Sequence, residues 1–210
     1  MSHSLLSRHA GPLAVSAGVL IAGAQLVMLP FDPKDHVATT TALAFQLGGV
    51  AYFVGFVMLM LFLVAAHEWL ETGARRLGVA ATTAAVVGTM ALGGDLWFET
   101  FAVPWLADEA PNAFDTSPTV MLGLGALASY FLFALGWVLY GVAVLRADAP
   151  VAIAGAIAVG GLLGYQALLS PWAVPLALAV GALGVWLIRT KAAMPERSAT
   201  STAITEPFGS

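Results

Sequence analysis

Six apolar runs, separated by short polar breaks, constrain this chain more than any other feature of its sequence. They lie at about 12–30, 42–66, 77–103, 119–145, 151–169 and 173–188. Hydrocarbon about 30 Å thick is crossed by roughly 20 helical residues, so each run is long enough to span, the last two only just. In lipid every backbone N–H and C=O must be satisfied within the segment. The runs do not alternate polar and apolar residues as barrel strands do, so they are expected to be helices. Charged residues make up only 10% of the chain, against roughly 25% in soluble domains, too few to cover a water-facing surface. The expected fold is therefore all-α: a polytopic bundle of six transmembrane helices over residues 1–190. A tail from 191 to 210, rich in Ser, Thr and Ala, is expected to be a disordered cytoplasmic segment.

The first run, with Arg8 ahead of it, imitates a secretory signal. No small-x-small cleavage site stands out at its end, so it is expected to stay as the first span.

Basic residues set the expected orientation. Arg8, Arg75, Arg76, Arg146, Arg189, Lys191 and Arg197 all fall on one side of a six-span bundle, and Lys34 falls on the other. Both termini are thus expected in the cytoplasm, with the protein in the cell inner membrane. The external segments are then 31–41, an acidic loop at 104–118 carrying Asp108, Glu109 and Asp115, and a tight turn near Ser170–Trp172.

The outward-running helices share a pattern. Each ends in proline and an aromatic residue, at Pro30-Phe31, Pro104-Trp105 and Pro171-Trp172. Five positions before each proline stands a polar side chain: Gln25, Glu99 and Gln166. Residues 47–53 and 124–131 are also alike. This reads as three repeated helical hairpins. It reads equally as proline ending helices and aromatics settling at the interface. Either way, polar groups gather at one depth. Small residues repeat every fourth position in the fifth run (Ala152, Ala156, Gly160, Gly164) and the third (Ala81, Ala85, Thr89, Gly93). Such stripes let helices approach closely, within the bundle or between two copies in a homo-oligomer.

The residues able to carry chemistry concentrate in Gly93-Gly94-Asp95-Leu96-Trp97-Phe98-Glu99. Asp95 and Glu99, four apart, share a helix face, and carboxyls at membrane depth face a bundle interior or a wet cavity. No Lys or Arg lies inside an apolar run to neutralise them. Gln25, Gln46, Gln166, Tyr165 and Trp97 fall in or near the same outer half, while the inner half is almost purely apolar. These seven residues form the candidate ligand site, a polar pocket open outward and closed inward. The bland alternative is interhelical hydrogen bonding with Glu99 simply wet. The leading expectation is a protein that binds or transports a small cationic or amphipathic molecule, a lipid included, with proton coupling through Asp95 as an extension. Two other classes compete. One is a membrane-embedded enzyme acting on lipid or isoprenoid, with Asp95 and Glu99 as acid and base. The other is a structural or accessory subunit.

Several functions are disfavoured. There is no cysteine, which removes thiol catalysis and cysteine-ligated metals. No lysine stands within a run to hold a Schiff base, no two histidines share a membrane helix face, and no phosphate-binding glycine loop or basic nucleic-acid face is present. No cofactor or metal is expected. His67-Glu68 with Glu71 has donors for a metal, but a solvated helix end explains it as well.

Overall fold

The computed structural model describes residues 8–31, 36–110, 112, 119–168 and 171–192. The tail beyond 192, Lys34 and Asp115 lie outside them. The described chain is helical throughout, without strands: α1 (Ala10–Met28), a short α2 (His36–Thr41), α3 (Leu43–Glu71), α4 (Arg76–Glu109), α5 (Val120–Arg146), α6 (Val151–Gln166) and α7 (Val174–Ala192). Four of these, α1, α3, α4 and α5, are long and apolar enough to cross a membrane, which marks the chain as a helical membrane protein. α6 and α7 are shorter apolar helices.

Helical structure is continuous from Leu43 to Trp97, 55 residues. Laid straight it would measure about 80 Å. It does not run straight. A Cβ on Gly78 would stand 2.7 Å from the carbonyl oxygen of Leu70, eight residues earlier and about 12 Å away in an unbent helix. Further out, Phe53 and Phe101 meet edge-on at 5.7 Å between ring centroids. α3 and α4 are therefore an antiparallel hairpin bent between Glu71 and Arg76. The sequence places a break there; the chain turns without leaving helical structure.

α1 packs on α3 and α7, α4 on α5, α5 on α6, and α6 on α7, so the order of helices around the bundle follows the chain and closes between first and last. Small residues make this possible. At Gly18 a Cβ would come within 2.6 Å of the Ala177 carbonyl oxygen on α7, a spacing open only to glycine. The α5–α6 connection is equally tight, with Asp148 in the left-handed region at φ 60°, where short polar side chains are tolerated. The stripe on α4 turns inward, with Ala81, Ala85 and Thr89 fully buried. That on α6 divides: Gly160 and Gly164 are buried, whereas Ala152 and Ala156 are exposed.

A chain of aromatic rings forms the spine of the core. Tyr52 and Phe56 of α3 meet at 5.2 Å, Phe56 stacks on Phe133 of α5 at 5.7 Å, and Trp137 and Tyr140 follow at 6.2 and 5.3 Å. Phe62 returns the contact from α3 to Tyr140 at 6.0 Å. All six are at most 3% exposed. The Trp137 indole N–H donates to Thr89 Oγ1 at 3.0 Å, which satisfies a polar group that hydrocarbon could not.

Candidate functional site

The aromatic spine ends beneath a cavity of about 480 Å³, within the range of small-molecule sites. It occupies the bundle end opposite Arg76 and Arg146, where α1 and α4 finish and α3 and α5 begin. Met28, Leu29, Phe31, Phe45, Leu96, Pro104, Leu168 and Trp172 give it apolar walls; Thr39, Thr40, Gln46, Tyr52, Glu99, Thr100 and Tyr130 supply polar groups. Among the described residues lining it there is one carboxylate and no Lys or Arg.

The wall carrying Glu99 is shaped by Pro104. A proline has no N–H to return to position 100, and its ring crowds that carbonyl. The helix answers by widening over Phe98–Ala102 into a π turn. There the Val103 N–H reaches back five residues to the Phe98 carbonyl oxygen. Such single wide turns recur at functional sites, and this one holds both Glu99 and Thr100 on the cavity. α4 then resumes to Glu109 and packs on α2. The proline expected to end the helix near 103 widens it instead.

α2 covers the cavity from the side. Its Thr39 and Thr40 are buried, and the Thr40 carbonyl accepts the Gln46 amide at 3.1 Å. Ala42 is extended, so the chain bends between α2 and α3 and places Gln46 facing back. Phe31 and Phe45 meet edge-on at 5.5 Å across the same corner.

The floor depends on the early end of α6. Its last turn is a 3-10 turn, Gly164–Gln166, and helix ends leave carbonyls without intrahelical donors. The Ala167 carbonyl is satisfied by two other helices: Tyr52 O–H donates at 2.5 Å and Gln25 Nε2–H at 3.3 Å. Gln25 and Tyr52 thus tie α1 and α3 to the α6 terminus.

The two carboxyls sit one turn apart. Glu99 is exposed on the cavity. Asp95 lies deeper and half-buried; its Oδ2 is enclosed and has no hydrogen-bond partner among the described residues. Tyr130 lies in the field of both carboxyls, and its ring stands 6.2 Å from that of Tyr165. Thr100 is 8% exposed, and its Oγ1 likewise has no partner among the described residues. Desolvated polar atoms left unpaired are costly; besides Asp95 Oδ2 and Thr100 Oγ1 at this end, His67 Nδ1, Thr82 Oγ1 and Tyr140 Oη are enclosed in the other half without a partner among the described residues.

Of the seven residues read from sequence, Gln46 and Glu99 line the cavity and Gln25 is buried beneath it; Asp95, a helical turn before Glu99, is not among the lining residues. Trp97 and Tyr165 are 52% and 42% exposed, and Gln166 is exposed as well; none of the three lines the cavity. Sequence reasoning missed Thr39, Thr40, Thr100, Phe31, Phe45 and Trp172. Thr100 was signalled, because it stands four before Pro104. At the opposite end His67 Nε2 pairs with Glu71 Oε1 at 3.2 Å. Among the described residues no three His, Asp or Glu side chains are grouped to hold a metal ion.

Compared with known protein families, with characterised proteins and with solved structures, the chain matches none.

Proposed function

We propose that the protein is a six-span inner-membrane protein, both termini cytoplasmic, that binds or transports a small cationic or amphipathic molecule through its outward-facing cavity. The observation that carries this reading is the cavity's composition: one carboxylate on the wall, with a second a helical turn deeper on the same helix, hydroxyls around the first, and apolar or aromatic faces elsewhere. A carboxylate in an apolar enclosure favours a positive partner, and aromatic faces such as Phe45 and Trp172 attract cations as well. The aromatic spine supports a site closed toward the cytoplasmic end. The seven arginines and lysines that a six-span bundle puts at the Arg76 end agree with that orientation.

The test is to purify the protein, extract it with solvent and identify bound molecules by mass spectrometry, beside Glu99→Gln. A stoichiometric cationic or amphipathic compound, depleted in the variant, is expected. A product formed from added lipid would replace this reading with the enzyme, and a stoichiometric protein partner would replace it with the subunit. An empty cavity whose protein is not stabilised by added alkylammonium would refute it.

A further inference from the structure

The outer rim of the bundle is stepped. The Ala167 carbonyl, at the end of α6, is held by Gln25 of α1 and Tyr52 of α3, and a Cβ on Gly164 would stand 2.7 Å from the ring of Phe133 on α5. α1 ends at Met28, three residues past Gln25. α3, in contrast, begins at Leu43, nine residues before Tyr52, and α5 at Val120, thirteen before Phe133. Allowing for rings that lean toward the start of their helices, α3 and α5 run on roughly 12–15 Å past the α6–α7 tip. α4 runs on as well, to Glu109. The cavity stands on the step so formed. Met28 and Leu29 of α1 and Leu168 and Trp172 of the tip line it from one side, Tyr52 and Tyr130 from the other. α2 packs against α3 and the end of α4, which leaves the side above the tip, between α1 and α5, without a described helix.

We infer that the cavity opens sideways into the bilayer over the α6–α7 tip, and that its occupant is a membrane-dissolved amphiphile that enters there, its apolar chain lying over Leu168 and Trp172. The inference rests on the cavity reading above and narrows its ligand to molecules that dissolve in the membrane. Three observations carry it. The first nine residues of α5, Val120–Ala128, are all apolar, and all but the half-buried Ala126 are exposed. A helix apolar on every face and uncovered stands in hydrocarbon, so lipid reaches past the level of the tip. α6 agrees: Val151–Gln166 is about 24 Å long, short of a hydrocarbon core of about 30 Å. The tip is also finished for that setting. Non-helical backbone at membrane depth has to be satisfied by protein or by a wet cavity. The Ala167 carbonyl takes both of its side-chain donors, Gln25 and Tyr52, from residues that are fully buried, and the tip turns apolar Leu168 and Trp172 toward the cavity.

The experiment uses the full-length protein in phosphatidylcholine nanodiscs, with a nitroxide at Leu168→Cys, at Leu124→Cys or, as a water-side control, at Ala110→Cys. Oxygen collides with nitroxides in hydrocarbon, and a nickel chelate with those in water. Oxygen should dominate at least fivefold at Leu168→Cys and Leu124→Cys, and the chelate at Ala110→Cys. Trp172→Cys, at a residue 42% exposed, takes the place of Leu168→Cys should that variant fail to fold. Dodecyltrimethylammonium should lower oxygen collisions at least twofold at Leu168→Cys and leave Leu124→Cys unchanged; tetramethylammonium should change neither. Chelate collisions dominating at Leu168→Cys overturn the sideways opening, whichever reagent dominates at Leu124→Cys, and leave the cavity reading standing. Equal shielding of Leu168→Cys by tetramethylammonium overturns the amphiphile. Calorimetric binding of neither ammonium overturns the cavity reading and the amphiphile with it. A nitroxide at Leu168→Cys reached by neither reagent, in a protein that runs as a dimer, gives the step to a second copy of the chain and overturns the opening.

Discussion

The two halves of the bundle are built from the same helices and obey different rules. In the half nearer Arg76 and Arg146, backbones touch through Gly88 and Gly136, and Phe62, Trp137 and Tyr140 are sealed from any solvent. In the other half α4 widens into a π turn, α6 stops early, α5 leaves α4, and a cavity of about 480 Å³ remains. Close packing is the default for a helical interior. The half that departs from it is also the half that holds Asp95, Glu99 and the cavity-lining Thr100, although enclosed polar atoms without a partner among the described residues occur in both halves. Stability is concentrated in one half, and the chemistry available for a ligand in the other.

That contrast is exposed to mutation. Trp137→Ala should be the most damaging substitution, costing about 3–5 kcal/mol as large aromatics do when removed from a core. Trp172→Ala, at a residue 42% exposed on the cavity, should cost less than about 1 kcal/mol by comparison. Melting temperatures in detergent compare the two, and equal losses would erase the distinction. Next, Gly136→Leu should cost about 3 kcal/mol by overpacking, whereas Gly125→Leu, where space is open, should change stability by about 0.5 kcal/mol or less.

The threonines sharpen the comparison further. Thr89→Val removes the acceptor of the buried Trp137 N–H and should cost about 1–3 kcal/mol. Thr100→Val removes an oxygen with no described partner, so stability should hold or rise while ligand binding weakens. Smallest in stability is Asp95→Asn, which keeps shape and hydrogen-bonding capacity but cannot ionise. It should leave the melting temperature nearly unchanged and still abolish binding of a cationic probe. Unchanged binding with normal stability would give Asp95 a packing role alone.

Much of this was legible in the sequence, because lipid imposes a strong code. Every long apolar run is a helix, the chain reverses near Arg75–Arg76, and polar side chains gather at one end. Directions were harder. Trp97 stands two residues from Asp95, about 200° around the helix, so spacing alone places it on the opposite face once Asp95 turns inward. Tyr165 and Gln166 lie where α6 tightens into a 3-10 turn, and α periodicity no longer says where they point. Gln25 was legible as a buried polar group but not as a donor to Ala167, 142 positions away. Pro104 was read as a helix end because proline removes a donor. A wide turn absorbs the same loss, and only the packing of α4 against α2 shows which solution the chain adopts.

The most direct test of an open half above a closed one is thiol accessibility. The chain has no cysteine, so single substitutions report without background. Gln46→Cys stands on the cavity wall, and Thr82→Cys, 6% exposed, stands in the packed half. In reconstituted protein a small methanethiosulfonate reagent should modify Gln46→Cys at least a hundredfold faster than Thr82→Cys, and an alkyltrimethylammonium should slow only the first reaction. Equal rates at the two positions, or no protection at Gln46→Cys, would contradict the account.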